Sequence, residues 1–168
     1  MNLGALRVDP LSAEHDRSAF CCGVPALDRY LREQAGQDAR RRIAAPFVAL
    51  EGNGRVLGFY TLSATSILLT EIPQPLAKRL PRYPRLPATR LGRLATDVSA
   101  RGAGLGRFLL ADAMQRAVRS EIASSAFVVD AKDHAAARFY ERESFIAVSA
   151  ERRRFVRRMS DIAALFGS

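Results

Sequence analysis

Hydrophobic residues near the start of the chain recur at helical spacing. Leu27, Tyr30, Leu31 and Ala35 fall on one face of a helix. The segment opens with Pro25, and a proline at the first helical position leaves no hydrogen bond unmade. We therefore predict an amphipathic helix that ends near the run of three arginines that follows.

Two longer apolar stretches come next, at residues 46–50 and 55–69. They flank the sequence Glu-Gly-Asn-Gly at 51–54, where asparagine and glycine tolerate positive φ angles. This arrangement predicts two antiparallel strands joined by a hairpin turn.

Prolines interrupt the pattern between residues 70 and 90. This stretch holds five of the eight prolines of the chain, and each lacks a backbone donor and has a fixed φ. The composition argues against an extended strand or a long helix. We predict a short helix around residues 76–80, followed by an ordered basic loop.

Strand and helix patterns alternate over the second half of the chain. The predicted order is a strand at 91–98, a helix at 104–120, a strand at 125–131, a helix from Asp133 towards Arg142, and late strands at 144–149 and 153–159. Asp133 is expected to be the N-cap of its helix. A length of 168 residues fits a single domain spanning 1–168. The expected fold class is α/β, a mixed sheet with helices on both faces.

The charge of the chain indicates a polyanionic partner. Its 26 basic and 17 acidic residues give a net charge of +9, and excess positive charge raises the local concentration of phosphate-rich ligands. A merely soluble basic protein, or one that binds only the phosphates of a cofactor, has the same composition. Fourteen of the basic residues form three clusters: Arg40, Arg41 and Arg42; Lys78, Arg79, Arg82, Arg85, Arg90 and Arg93; and Arg152, Arg153, Arg154, Arg157 and Arg158.

The sequence gives no sign of a metal site or a membrane segment. Cys21 and Cys22 are adjacent, which suits neither a disulfide nor metal ligation, and His15 and His134 stand far apart. No apolar run approaches the ~18 residues that a membrane span needs. We therefore expect no metal and a cytoplasmic protein.

A glycine-rich turn precedes the second predicted helix. It consists of Arg101, Gly102, Ala103, Gly104, Leu105 and Gly106. A turn of this kind at a helix start exposes backbone N–H groups that have no intrahelical partner, and the helix dipole adds positive potential there. The turn is therefore a candidate phosphate-binding site.

Three other interpretations compete for this turn. The dinucleotide fingerprint G-x-G-x-x-G fails because its third glycine position is Arg107, although Asp130 stands where that fold carries its ribose-binding acid. A Walker A loop needs Gly-Lys-Ser/Thr, which is absent. A tight turn that serves only strand–helix packing remains open.

The pattern R-x-x-G-x-G at 101–106, with Phe139 and Tyr140 on the next helix, resembles the GNAT acetyltransferase superfamily. The resemblance implies a mostly antiparallel sheet with splayed middle strands and helices on both faces, with acetyl-CoA as the acetyl donor. The loop 101–106 would hold its diphosphate, and Tyr140 would be the general acid for the departing thiolate. The other residues that the resemblance implies for acetyl-CoA binding are Leu94, Ala95, Thr96, Val98, Lys132 and Phe139.

A narrower resemblance covers nearly the whole chain. The stretches 11–42, 56–67, 80–97 and 127–141 are similar to GNAT toxins of the TacT/AtaT type, which acetylate the α-amine of aminoacyl-tRNA and are neutralised by a ribbon-helix-helix antitoxin. The resemblance implies these partners and a homodimer. The residues then expected to contact tRNA are Arg40, Arg41, Arg42, Lys78, Arg79, Arg82, Arg85, Arg90 and Arg93.

The chain departs from the toxin pattern at two places. Glu143-Ser144-Phe145 replaces the usual phenylalanine-glycine-phenylalanine, and Arg157 and Arg158 replace apolar residues and a proline. The first change puts serine where the toxins have glycine, and so casts doubt on the backbone geometry of the turn after the catalytic helix. Two other functions stay open: acetylation of a protein N-terminus or small amine, and a non-catalytic scaffold that binds RNA or antitoxin.

Overall fold

The computed structural model describes residues 2–148 and 153–167. It forms two compact units. The first contains the residues up to Ser63 together with Gly92–Ala113, and the second contains Ala64–Leu91 and the residues from Met114 onwards. Three elements run from one unit into the other: strand β3 (Val56–Leu68), strand β4 (Arg85–Thr96) and helix α4 (Leu105–Arg119).

Besides a 3-10 turn at Val98–Ala100, the remaining elements of the first unit lie before residue 51. They are a 3-10 turn (Leu3–Ala5), strand β1 (Arg7–Pro10), helix α1 (Pro25–Arg29), a π-helical turn (Tyr30–Gln34), helix α2 (Ala35–Arg40) and strand β2 (Ala45–Leu50). The predicted amphipathic helix is therefore confirmed, with a π-helical turn in its middle.

The second unit holds the C-terminal elements. They are a 3-10 turn (Leu69–Glu71), helix α3 (Gln74–Ala77), strand β5 (Ala126–Asp130), helix α5 (His134–Arg142), strand β6 (Ile146–Ala147), strand β7 (Arg154–Arg158) and helix α6 (Met159–Leu165). Asp133 caps α5 as predicted, because its Oδ1 accepts the Ala136 N–H at 2.8 Å.

The strands form one mixed sheet in the order β1-β2-β3-β4-β5-β7-β6. Pairing is antiparallel between β1 and β2, β2 and β3, β5 and β7, and β6 and β7. Strands β4 and β5 are parallel, from Ala88 opposite Ala126 to Leu91 opposite Val129. The predicted hairpin at 51–54 joins β2 and β3, and the expected mixed, mostly antiparallel sheet is confirmed.

Each unit has its own hydrophobic cluster. In the first, helix residues Tyr30 and Leu31 pack with Phe20 and with strand residues that include Phe59, whose ring centroid lies 6.1 Å from that of Tyr30. In the second, Leu86, Val128 and Val156 lie in a cluster with residues of α3. Most strand residues of these clusters lie in the stretches 46–50, 55–69, 125–131 and 153–159, where the sequence pattern predicts strands, whereas Phe20 and Leu86 lie outside the predicted elements.

The prediction that β4 starts at residue 91 is wrong, because the strand begins at Arg85 within the proline-rich stretch. Pro87 has no N–H to donate, but its carbonyl accepts the Ser125 N–H at 2.9 Å. The proline is therefore compatible with a strand at this position. The predicted short helix lies at Gln74–Ala77, slightly ahead of 76–80.

The C-terminal predictions are partly correct. The expected strand at 144–149 is reduced to the two residues of β6, with Ser149 outside the described residues, whereas the strand expected at 153–159 is β7. The helix α6 that follows β7 was not predicted. No helix within residues 2–148 and 153–167 is long and apolar enough to cross a membrane.

Candidate active site

The loop 101–106 has the backbone shape that its glycines suggest. Gly102 and Gly104 have φ angles of 77° and 80°, which L side chains rarely adopt. Helix α4 begins directly after Gly104, at Leu105, so the last two residues of the loop form the first turn of the helix. Two glycines in the left-handed region thus lead the chain into the start of a long helix.

The backbone N–H groups of this loop are free to bind a ligand. Within the described part of the chain, none of the N–H groups of residues 102–106 has an acceptor in the protein, whereas the Phe108 N–H donates to the Gly104 carbonyl at 3.0 Å. A Cβ built on Gly102 or Gly106 would meet nothing within 4 Å. The loop therefore presents a cluster of open donors at the positive end of α4, which suits a diphosphate.

The side chain of Arg101 anchors this loop to the N-terminal part of the first unit. Its Nη2 donates to the Cys22 carbonyl at 2.9 Å. The Cys21 N–H donates to Asp97 Oδ2 at 3.0 Å, and the Cys21 carbonyl accepts the Val98 N–H at 2.8 Å. The segment 21–22 thus holds both the start and the end of the turn that precedes the loop. Arg101 was predicted to contact acetyl-CoA, and that contact stays a prediction.

The buried carboxylate of Asp97 also stabilises this turn. Its carboxylate is almost fully buried and accepts hydrogen bonds from the Ser99 N–H, the Ser99 hydroxyl and Arg55. Burial alone would raise the pKa of Asp97, but the hydrogen bonds from Ser99 and Cys21 and the charge of Arg55 lower it below its usual range. Asp97, which was not singled out from the sequence, is the N-cap of the 3-10 turn Val98–Ala100, a position where aspartate is preferred.

The backbone segment predicted to bind the pantetheine arm lies at the end of β4. Ala95 is buried, Leu94 and Thr96 are half-buried, and Val98 is 42% exposed. The register between β4 and β5 runs to Leu91, whereas β4 itself continues to Thr96. The backbone contacts to acetyl-CoA remain a prediction.

Tyr140 lies in the second unit, on α5. Its ring is 5% exposed and contacts Phe139, Phe145 and Phe155 at centroid distances of 5.2, 5.8 and 6.3 Å. Among the described residues its hydroxyl has no hydrogen-bond partner, and no fully buried side-chain oxygen there lacks one. The hydroxyl therefore reaches solvent while the ring is enclosed, which is the geometry that a donor to an incoming ligand requires.

The environment of Tyr140 keeps it protonated. Burial raises the pKa of its phenol, and the negative charge of Asp130 raises it further. Asp130 itself is ionised, because hydrogen bonds and charge from Arg154 and Arg90 lower its pKa more than burial raises it. Arg90 Nε lies 3.0 Å and Arg154 Nε 2.9 Å from its carboxylate oxygens. Asp130 thus binds two arginines here.

The turn after α5 keeps its shape despite the serine. Ser144 has a φ of 68°, its N–H donates to the Glu141 carbonyl at 3.1 Å, and the Phe145 N–H donates to the Tyr140 carbonyl at 3.0 Å. This is a Schellman closure, with the rings of Tyr140 and Phe145 in contact across it. The geometry that the sequence departure called into question is therefore present, with a serine in a position that favours glycine.

The residues ahead of Tyr140 differ in exposure. Lys132 and His134 lie at the surface, whereas Phe139 is half-buried beside Tyr140. His15, by contrast, has a structural partner, since its Nδ1 accepts the Ser12 N–H. Neither Cys21 nor Cys22 forms a disulfide within the described residues, and these residues contain no group of three His, Cys, Asp or Glu side chains that could hold a metal.

The basic residues predicted to bind tRNA differ in their availability. Those exposed at the surface are Arg40, Arg41, Arg42, Lys78 and Arg82, and among the described residues none of these five has a side-chain carboxylate within ion-pair distance. Arg79 pairs with Asp161 at 2.9 Å, and Arg85 donates to the Ser66 hydroxyl at 2.9 Å. Arg90 is bound to Asp130, as described above. Of the third basic cluster, Arg152 lies outside the described residues.

Arg93 is held over an aromatic ring. Its guanidinium carbon lies 3.7 Å from the ring centroid of Tyr30, and the Tyr30 hydroxyl donates to Asp38 at 2.8 Å. Burial and this hydrogen bond raise the pKa of Tyr30 to about 12, so that the phenol stays protonated. Gln34 also donates to Asp38. Sequence periodicity placed Tyr30 in the core. Gln34 and Asp38 follow it at helical spacing, but local spacing could not reveal the contact with Arg93, which lies far away along the chain.

Comparisons with known proteins agree with this geometry. Residues 77–158 match the family model "Acetyltransferase (GNAT) domain". The chain is 33% identical over 159 residues to the "tRNA-acetylating toxin" of Mycobacterium tuberculosis, covering 94% of each chain. It is 31% identical over 119 residues to the "Probable toxin TacT" of Sinorhizobium fredii, covering 68% of this chain and 66% of that one.

Three solved structures share the fold over nearly the whole chain. A tyrosine-to-phenylalanine variant of KacT has a TM-score of 0.89 at 28% identity, covering 96% of this chain and 99% of its own. AtaT complexed with acetyl-methionyl-tRNAfMet has a TM-score of 0.87 at 28% identity with the same coverage. A tyrosine-to-phenylalanine variant of AtaT, bound to the C-terminus of the antitoxin AtaR and acetyl-CoA, has a TM-score of 0.83 at 25% identity, covering 98% and 99%.

Proposed function

The chain belongs to the GNAT acetyltransferase toxins of the TacT/AtaT type, and from this premise we propose that it transfers the acetyl group of acetyl-CoA to the α-amine of aminoacyl-tRNA. Acetylation removes the nucleophile that peptide-bond formation needs, so the modified tRNA cannot extend a peptide. Translation is then blocked.

The observation that carries this proposal is the row of open N–H groups at 102–106. Several donors that converge without acceptors at the N-terminus of a 15-residue helix form a site for the diphosphate of coenzyme A. The fit is supported by the open space beside Gly102 and Gly106. Arg101 and Asp97 act as positioning residues, because each ties the loop or its preceding turn to the rest of the first unit.

Tyr140 assists the departure of the thiolate. A phenol has an ordinary pKa of ~10 and a thiol one of ~8.5, and the environment of Tyr140 raises its pKa still further. Complete proton transfer to the sulfur is therefore uphill. Tyr140 stabilises the leaving group by donating a hydrogen bond that strengthens as negative charge develops on the sulfur.

The acceptor amine needs little help to lose its proton. The reference α-amino group has a pKa of ~7.7 to 8.0, so a substantial fraction is neutral near pH 7. A dedicated strong base is accordingly not part of this proposal. The exposed basic residues Lys78, Arg82 and the run at 40–42 bind the phosphates of the tRNA.

We propose the domain span, the localisation and the remaining partners by analogy with the family. The chain acts as a single domain spanning 1–168, in the cytoplasm, as a homodimer that a ribbon-helix-helix antitoxin neutralises. Support comes from the antitoxin complex of the related AtaT and from the three elements that run through both compact units.

Incubation with labelled acetyl-CoA and a bulk pool of aminoacyl-tRNA tests the proposal directly. We expect label on at least one charged species and none on deacylated tRNA. The same reaction with a peptide bearing a free N-terminus, and with a small amine, serves as the comparison. Label on the peptide or amine but on no charged tRNA contradicts the assigned acceptor.

A further inference from the structure

A groove in the second unit is lined by both apolar and basic residues. It encloses about 320 Å³, near the lower end of the range for small-molecule sites. Its lining consists of Leu69, Thr70, Ile72, Gln74, Ala77, Lys78 and Arg82. The apolar side chains of this lining suit a flat, partly apolar chemical group. Its two cations and two polar side chains suit a negatively charged group attached to that flat group.

An exposed aromatic ring directly follows this groove in sequence. Tyr83 is next to Arg82, and 67% of it is exposed, although exposure of so large a side chain leaves much apolar surface in water. Arg85 is close in sequence on its other side. Tyr83 thus interrupts a run of positive charges with a ring, an arrangement that offers both a stacking surface and phosphate contacts.

The backbone that carries Tyr83 is held in place. Pro81 and Pro84 flank the segment and fix two of its φ angles. The Pro84 carbonyl accepts the Leu69 N–H at 3.0 Å, and Arg85 donates to the Ser66 hydroxyl at 2.9 Å. An aromatic side chain on a constrained backbone loses little conformational entropy when a flat partner stacks on it.

We infer that Tyr83 and the groove that ends at the preceding residue, Arg82, bind an unpaired nucleotide of the RNA substrate, with the base stacked on the ring and its phosphates bound by Lys78 and Arg82. A paired nucleotide cannot use this site, because its base faces are covered within the duplex. The inference rests on the proposed function, since it names a contact to the single-stranded part of the same substrate.

Binding to two simple RNA probes tests this inference. The probes are a single-stranded hexaribonucleotide that carries the fluorescent base 2-aminopurine and a blunt RNA duplex. Base–aromatic stacking contributes about 1 to 3 kcal/mol per base, so we expect Tyr83→Ala to weaken the single strand by about 10- to 100-fold. The duplex should change by less than about twofold, and quenching of the 2-aminopurine should be lost.

Three further variants separate stacking from charge and from general damage. Tyr83→Phe keeps the ring and should bind the single strand within about twofold of the unaltered protein. Ile122→Ala removes an exposed side chain of the same unit, 80% exposed, and should affect neither probe. Lys78→Ala should weaken the binding of both probes and reduce the slope of log Kd against log salt by about 0.7 for the single strand.

The possible results decide the inference. The inference is overturned if Tyr83→Ala binds the single strand unchanged, or if it weakens the binding of both probes equally. If Tyr83→Ala instead loses self-association or antitoxin binding, the surface around Tyr83 is a protein contact. A functioning enzyme in which Tyr83→Ala leaves the KM for charged tRNA unchanged likewise overturns it. Because the binding assay needs no catalysis, intact single-strand binding without any acetyl transfer contradicts only the proposed function.

Discussion

At the scale of single residues, Tyr140 combines an enclosed ring with a solvent-accessible hydroxyl. Removal of the hydroxyl alone should leave the packing with Phe139, Phe145 and Phe155 intact. We expect Tyr140→Phe to lower kcat for acetyl transfer by at least about 100-fold, since a positioned acid contributes about 10² to 10⁴. The Kd for acetyl-CoA should stay within about twofold, because the donors of the diphosphate loop are unaffected.

Single-turnover transfer to aminoacyl-tRNA and calorimetric titration with acetyl-CoA measure these two quantities separately. Phe139→Leu is a suitable comparison, since it alters the ring contacts of Tyr140 while the hydroxyl remains. Unimpaired transfer by Tyr140→Phe would remove the acid role from this residue.

Ser144 is a second residue with a specific energetic signature. Its φ of 68° costs a side-chain-bearing residue about 1 kcal/mol relative to glycine, and the Schellman closure holds it there. We expect Ser144→Gly to raise the free energy of unfolding by up to about 1 kcal/mol, or the Tm by about 2 to 4 °C. Thermal denaturation followed by circular dichroism measures the change.

Ser160→Gly is the matched control for this substitution. Ser160 lies in helix α6, where glycine costs stability, so the same chemical change should lower the Tm. A decrease in Tm for Ser144→Gly as well would show that the turn is not strained.

At the scale of elements, the loop 101–106 and helix α4 form the diphosphate site together. Gly102→Ala should force the loop away from its φ of 77° and turn its N–H groups out of alignment, and its Cβ would occupy the open space that the ligand needs. We expect the Kd for acetyl-CoA to rise at least about tenfold, as measured by calorimetric titration.

Gly54→Ala provides the comparison for backbone strain alone. Gly54 has a φ of 86° in the β2–β3 hairpin, and a Cβ there would also meet nothing within 4 Å. It should lose a similar amount of stability, about 1 kcal/mol, while acetyl-CoA binds normally. Equal losses of affinity in the two variants would disprove a local role for the loop.

Elements were predictable from the sequence where local signals agreed. The loop and α4 could be predicted because glycines at a helix start and an apolar stripe both point to the same boundary. Strand β4 was predicted to be too short, because prolines argue against strands and nothing local showed that Pro87 would need only its carbonyl. Helix α6 was missed because its N-cap, Arg158, makes no side-chain capping bond that a sequence pattern could reveal.

The candidate site was predictable only in its local parts. Its glycines and Tyr140 belong to short motifs, whereas the contacts that position them join residues far apart in sequence. Arg101 binds the carbonyl of Cys22, and Asp130 binds both Arg90 and Arg154. Such pairings depend on the register of strands and the path of loops, which composition and periodicity do not specify.

At the scale of the whole molecule, the net charge of +9 should govern the encounter with RNA. Phosphate contacts release counterions, so we expect kcat/KM for charged tRNA to fall at least about tenfold between 50 and 200 mM salt. Replacement of the three arginines at 40–42 by glutamine should reduce this dependence. Initial rates of acetyl transfer across a salt series measure it.

Arg7→Gln is the control for this series, since Arg7 lies outside the basic clusters and already pairs with Asp9 at 2.7 Å. It should leave the slope unchanged. A wild-type rate that does not respond to salt would indicate that the acceptor is not a nucleic acid.

The two main-chain hydrogen bonds of Cys21 predict how this position varies among orthologues. Both of its bonds to the turn before the diphosphate loop, through Asp97 and Val98, use main-chain atoms of Cys21. Many amino acids can therefore occupy this position without harm. Insertion or deletion of a single residue at this position would instead move the main-chain donors and acceptors of the segment 21–22 away from their partners. Orthologues should therefore vary in the identity of this residue but keep the length of the segment.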